Sequence, residues 1–191
     1  MTADAAAAAT ADERPAGRSD LPLRRTARIL LADDGDRILL FRFVDPKSEV
    51  PGGVFWGTPG GGVDEGESLP QAAARELFEE TGLRVPQGSF ERVVARAEGA
   101  ARYAGQDLWY EDHFYFLRAA AFELDESGWE EVERETMAEY RWWTVAELAA
   151  AAEPVYPPAL ARIMPDLLAG RLPAEPFDAD EARPGNSPVG A

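Results

Sequence analysis

Between Gly61 and Leu83 the residues Glu67, Arg75, Glu76, Glu79 and Glu80 fall at fixed spacing around a glycine turn and a short helix. The stretch reads Gly61-Gly62-Val63-Asp64-Glu65-Gly66-Glu67-Ser68-Leu69-Pro70-Gln71-Ala72-Ala73-Ala74-Arg75-Glu76-Leu77-Phe78-Glu79-Glu80-Thr81-Gly82-Leu83. On a helix, Glu76, Glu79 and Glu80 stand at i, i+3 and i+4 and share one face. Carboxylates that close repel one another, and a divalent cation is the natural counter-charge. All-oxygen ligation suits Mg²⁺ or Mn²⁺. Cations held this way behind a glycine turn can meet a phosphate chain. Arg75, four residues before Glu79, is within reach of an ion pair that orients the carboxylate. A glutamate cluster alone is more often a solvated helix face. The glycine turn, the arginine and the complete spacing point to a metal site instead.

The helix that must carry these groups is legible. Ser68 is a good N-cap and Gln71 completes a capping box. Pro70 falls in the first turn, where a missing N–H costs little. Gln71 to Thr81 holds no Pro or Gly and is rich in helix formers. Gly82 stands where a left-handed C-terminal cap is wanted. A helix over Leu69 to Thr81 follows, with Ala73 and Leu77 as a second stripe able to pack on a sheet.

At every defined position the stretch resembles the signature of the Nudix hydrolases. That pattern is a Gly, five residues, a Glu, seven residues, then Arg-Glu-aliphatic-any-Glu-Glu-any-Gly-aliphatic. Gly61, Glu67, Arg75, Glu76, Leu77, Glu79, Glu80, Gly82 and Leu83 fill it without a departure. The resemblance implies an α/β fold, the Nudix-type α/β/α sandwich with a mixed β-sheet between helices. It implies a divalent-metal-dependent pyrophosphohydrolase, in which water breaks the P–O–P link of a nucleoside diphosphate joined to another moiety. Carried over by position, Glu76, Glu79 and Glu80 are metal ligands, and the Gly61 carbonyl is a further one. Arg75 orients a box glutamate and Glu67 supports the site. Family members differ in their general base, so Glu80 stands beside two acids from outside the box, Glu111 and Asp112. Glu111 is favoured over Asp112. His113, next to them, is expected as a packed or surface residue.

Composition narrows the alternatives. At 191 residues one domain with a sizeable core is expected. A net charge of −16 argues against general affinity for DNA or anionic membranes. It also means that a polyanionic substrate needs cations at the contact. The absence of Cys removes disulfides, thiolate zinc sites and cysteine nucleophiles, and counts against the isopentenyl diphosphate isomerase branch. No apolar run reaches the ~20 residues of a membrane span, and no secretory signal is visible. A cytoplasmic enzyme is the expectation, and a homodimer stays open as its assembly.

Along the chain, residues 1–20 and 173–191 read as flexible tails around a domain at 21–172, with Phe177 able to tuck onto the surface. Arg25 to Ala32 and Arg37 to Phe43 are apolar runs joined by Asp33-Asp34-Gly35-Asp36, a hairpin signal. A loop is expected over Val44 to Gly57, a strand over Phe90 to Glu98, and a loop over Gly99 to Gln106. A long aromatic strand covers Leu108 to Phe122. A short strand at Tyr140 to Trp143 leads to a helix over Val145 to Ala152, and Pro158 to Gly170 closes the domain as a helix.

Substrate contacts are less marked. Arg42 in an early strand could meet a phosphate, and Phe43 and Trp56 could stack on a nucleobase. The proline expected about 15 residues past the box in ADP-ribose pyrophosphatases is absent, with Glu98 and Gly99 in that area. The sequence thus indicates the bond and not the molecule that carries it. A non-catalytic nucleotide-sensing module is the alternative, although such a module is expected to lose box glutamates.

Overall fold

The computed structural model describes residues 20–46, 50–103, 106–120, 122–129 and 131–181. One mixed sheet forms the centre. Its strands are β1 (Leu23–Ala32), β2 (Ile38–Val44), β3 (Val54–Gly57), β4 (Gly60–Gly62), β5 (Val93–Tyr103), β6 (Gln106–Arg118), β7 (Met137–Trp143), β8 (Val155–Tyr156) and β9 (Phe177–Asp178). The helices are α1 (Leu69–Thr81), α2 (Glu131–Thr136), α3 (Val145–Ala149) and α4 (Leu160–Leu168). The strand order is β8-β3-β2-β1-β6-β5-β9, with β4 added to β1 and β7 added to β2.

The hairpin signal becomes the β1–β2 turn. Asp33 closes it by accepting the backbone N–H of Gly35 at 2.8 Å and that of Arg37 at 2.9 Å. Beyond the turn β1 runs parallel to β6, from Leu23 opposite Trp109 to Ala32 opposite Arg118. Both faces of β1 are covered, which is why it reads as a continuous apolar run. Ala27, Ile29 and Leu31 pack with Ala72, Ala73 and Leu77 of α1. Leu30 and Ala32 face Leu160, Ile163, Met164 and Leu167 of α4. Each fully buried Leu or Ile in these layers contributes roughly 1.5–3 kcal/mol. The α/β/α sandwich expected from the sequence is present.

Several boundaries differ from expectation. The predicted loop over Val44 to Gly57 contains β3, whose Val54 to Gly57 pair with Val44 to Phe41 of β2. The predicted loop over Gly99 to Gln106 is mostly strand, because Gly99 to Tyr103 pair in sequence with Tyr110 to Gln106. Gly99 lies under the Tyr110 ring, which explains a glycine inside a strand. The helix after Thr144 stops at Ala149. The chain past residue 173, expected as a tail, is placed on the domain as far as residue 181. Phe177–Asp178 form β9 against Ala95–Arg96, Phe177 packs on the core, and Ala179 is fully buried. Residues 1–19 and 182–191 lie outside the described residues. No helix among the described residues is long and apolar enough to cross a membrane.

Candidate active site

β4 brings the glycines to the helix. It runs antiparallel to β1, with Gly62, Gly61 and Gly60 opposite Thr26, Ala27 and Arg28. Gly60 has φ +116°, and the Ala27 carbonyl occupies the place a Cβ would take. Only glycine fits there. At Gly61 a Cβ would lie 2.6 Å from a Glu76 carboxylate oxygen. The carboxylate of α1 therefore rests directly on the glycine backbone. The Arg28 guanidinium donates to the Gly60 carbonyl from the other side.

The helix begins and ends as its sequence dictates. Ser68 and Gln71 form the capping box, and Gly82 at φ 74° donates its N–H to the Phe78 carbonyl. Arg75 then ties the site together. Its Nε and Nη2 grip both oxygens of Glu67 at 3.0 and 2.9 Å. Nη2 also donates to the Gly62 carbonyl at 2.8 Å. Nη1 is shared between Glu76 at 2.9 Å and Glu79 at 3.0 Å. The ion pair expected between Arg75 and Glu79 is thus one strand of a larger knot.

The glutamates sit in different environments. The hydrogen bonds of Arg75 hold the Glu67 carboxyl below its ordinary range, and the Asp64 N–H adds to this. Burial pushes the Glu76 carboxyl up, opposed by Arg75 and Arg28 and reinforced by Glu79. Glu80 is 4% exposed and accepts the Gly60 N–H at 2.7 Å. Glu79 is the most open of the three, with its side chain 37% exposed. Among the described residues no three acids are drawn together into a chelate; Arg75 and the Gly60 N–H hold them instead. The donor set still fits a hard divalent cation. It is all oxygen, and the carboxylates of Asp64, Glu67, Glu76, Glu79 and Glu80 outnumber the guanidiniums of Arg75 and Arg28.

A second segment reaches this helix that sequence reasoning missed. The turn at 125–129 packs on the last turn of α1, where the Trp129 indole N–H donates to the Glu80 carbonyl at 2.8 Å. The only sequence signal was Ser127-Gly128-Trp129, a turn followed by a large aromatic.

The acids outside the box are placed as follows. On β6, Tyr115 and Leu117 pack on the α1 side, so strand alternation puts Glu111 and His113 on that side as well. Glu111 accepts from Arg25 Nε at 3.2 Å. It lines a cleft of about 600 Å³ with Arg25, Arg96 and His113, and no box residue forms its walls. Burial holds the His113 imidazole below its ordinary value, and the charges of Arg96 and Arg25 add to this. Asp112 accepts the Thr26 hydroxyl at 2.6 Å.

The expected substrate contacts separate. Arg42 is held by Glu153, through Nε at 2.9 Å and Nη2 at 2.7 Å. Trp56 is 4% exposed, packs edge-on to Trp143, and donates its indole N–H to Glu153. The stacking role expected of Trp56 gives way to a core role, because its ring has no open face. Phe43 stacks on Phe55 at 5.1 Å, and Tyr156, 42% exposed, meets Phe55 edge-on. Phe55 and Tyr156 were not singled out from the sequence, since their adjacency comes from the β3–β8 pairing.

This geometry has counterparts. Over 77 residues the chain is 39% identical to an RNA pyrophosphohydrolase of Sphingopyxis alaskensis, a match covering 40% of this chain and 44% of that protein. Over 63 residues it is 43% identical to an RNA pyrophosphohydrolase of Novosphingobium aromaticivorans, covering 33% of this chain and 37% of that one. The chain thus spans less than half the length of these curated relatives. Its fold is that of a MutT protein from Methanosarcina mazei Go1, at a TM-score of 0.52 and 19% identity, covering 79% of this chain and 96% of that one. The family model described as NUDIX domain matches residues 22–167, and the chain belongs to that family.

Proposed function

We propose that this chain is a divalent-cation-dependent pyrophosphohydrolase that uses water to cleave the P–O–P link of a nucleoside diphosphate joined to another moiety. The observation that carries this is the knot of Glu67, Glu76 and Glu79 on Arg75, set against the glycine backbone of β4. A bound divalent cation, of the kind Nudix hydrolases generally use, would screen charge on the phosphate oxygens and make water a better nucleophile.

The chain's own residues do the rest. Glu76, Glu79, Glu80 and the Gly61 carbonyl would hold the cation, as Mg²⁺ or Mn²⁺. Arg75 keeps Glu76 and Glu79 aimed before binding, and its bonds to them are those a cation would replace. Arg42 would meet the phosphates from β2. The Phe43–Phe55–Tyr156 ledge, whose Phe43 points to the α1 face of β2 and away from Arg42, would take a nucleobase. The relatives' activity on RNA supports including RNA as a substrate. In RNA a phosphoric anhydride is found at a 5′ di- or triphosphate end, so that end is the group to test.

The test is a panel with Mg²⁺ or Mn²⁺. It holds nucleoside triphosphates, oxidised ones, nucleotide sugars, dinucleoside polyphosphates, ADP-ribose, NADH and 5′-triphosphorylated RNA. Cation-dependent release of phosphate, pyrophosphate or nucleotide from at least one is expected. Binding without cleavage of any would favour the sensing module.

A further inference from the structure

The last turn of α1 carries both Glu79 and Glu80, and it is the part of a helix that holds its own backbone least well. The final four carbonyls of a helix have no partner within it. Here the turn at 125–129 supplies partners. The Asp125 N–H donates to the Thr81 carbonyl at 3.1 Å, and Trp129 Nε1 donates to the Glu80 carbonyl at 2.8 Å. Gly128 closes the gap between them. A Cβ there would lie 2.5 Å from the Glu79 carbonyl oxygen, so the turn touches the helix backbone directly.

The clamp is itself anchored. Asp125 accepts the Ser127 N–H at 3.0 Å, which shapes the turn. Trp129 is 7% exposed and meets Phe41 of β2 edge-on at 5.9 Å. Its indole therefore links the sheet to the peptide that carries Glu80. Packing alone would be met by Phe; the N–H aimed at one backbone carbonyl needs Trp.

We propose that Trp129 and Gly128 are positioning residues for the cation site, fixing the backbone from which Glu79 and Glu80 project. This rests on the function proposed for the box. The clamp acts on the carboxylates through the peptide and touches no substrate. A loosened last turn would leave both glutamates in place but spread over more orientations, and a cation would have to order them on binding.

The experiment compares the full chain with Trp129→Phe, which keeps a ring and loses the N–H, and with Gly128→Ala. Mn²⁺ binding is measured directly, from the free-ion magnetic resonance signal without substrate. Each folded variant is expected to bind Mn²⁺ about tenfold more weakly, ~1.4 kcal/mol of binding free energy. At saturating Mn²⁺, KM should stay within about twofold of the wild-type value. Wild-type affinity in a folded Trp129→Phe protein overturns the clamp and leaves the function standing. No Mn²⁺ binding by the wild type overturns both. Amide exchange on the wild type covers the case in which neither variant folds. Mn²⁺ should slow exchange at 125–129 together with 79–82, and protection confined to the helix overturns the inference.

Discussion

Replacing Arg75 by Gln should destabilise the metal-free protein more than any other single change at the box surface. The side chain makes four hydrogen bonds to three carboxylates, those of Glu67, Glu76 and Glu79, and one to the Gly62 carbonyl. A hydrogen bond to a charged group is worth about 1.5–3 kcal/mol. These bonds share one guanidinium and do not add. Arg75 is also partly open to water, at 29% of its side chain, which reduces the cost. A loss of roughly 2–4 kcal/mol follows, most of it from carboxylates left facing one another. For a domain of this size that is about 5–15 °C in melting temperature. A divalent cation should recover much of the loss, because it supplies the charge that Arg75 supplied. Arg75→Lys should fall between, since one ammonium cannot serve three carboxylates in that fork. The assay is thermal unfolding with EDTA and with excess Mn²⁺. A Gln variant that melts within about 1 °C of wild type in EDTA would refute the idea of a knot. So would a deficit that Mn²⁺ leaves unchanged.

Three further outcomes follow from single contacts. Burial alone would raise the Asp33 carboxyl, but the N–H groups of Arg37 and Gly35 and the Arg37 guanidinium hold it below its ordinary 3.8. Its stabilising effect is therefore present above pH 3.8 and lost as the pH falls through the lowered value; Asp33→Asn should cost about 1–3 kcal/mol at pH 7, with the gap to wild type closing in acid unfolding curves below that point. Glu111→Gln separates the two homes for the base: the ion pair with Arg25 and the box-free walls of its cleft predict a rate loss under about tenfold, whereas a hundredfold loss, usual for a general base, would place the base on β6. Arg42→Ala should raise KM for the best substrate about tenfold with kcat within a few-fold, and an unchanged KM would remove Arg42 from the phosphate contacts.

The sequence carries the box helix and little of what surrounds it. Ser68, Gln71 and Gly82 determine the ends of α1 by local hydrogen bonds, so the helix is legible to the residue. The β1–β2 turn is legible for the same reason, because Asp33 closes it within five residues. The stacking ledge and the clamp are not local. Phe55 meets Tyr156 because β3 pairs with β8, about 100 residues away in the chain. Trp129 reaches Glu80 across 49 residues. Trp56 misled for a related reason: nothing beside it in the chain marks the Trp143 ring and Glu153 carboxylate that enclose it. The extension of β5 past Gly99 is likewise imposed by its partner, whose ladder holds a run of small residues that alone reads as a turn.

The most direct test of the account is the initial rate of P–O–P hydrolysis for wild type and Glu80→Gln, on the best substrate of the panel, with Mn²⁺ and with EDTA. Glu80 is buried and accepts the Gly60 N–H, a bond that the side-chain carbonyl of Gln can also accept. A cation held by Glu80 requires hydrolysis by wild type only with the cation, and a rate at least about a hundredfold lower for a folded Glu80→Gln protein, the scale expected when a central ligand is lost. Hydrolysis that persists in EDTA, or a near-normal rate for the variant, would contradict it.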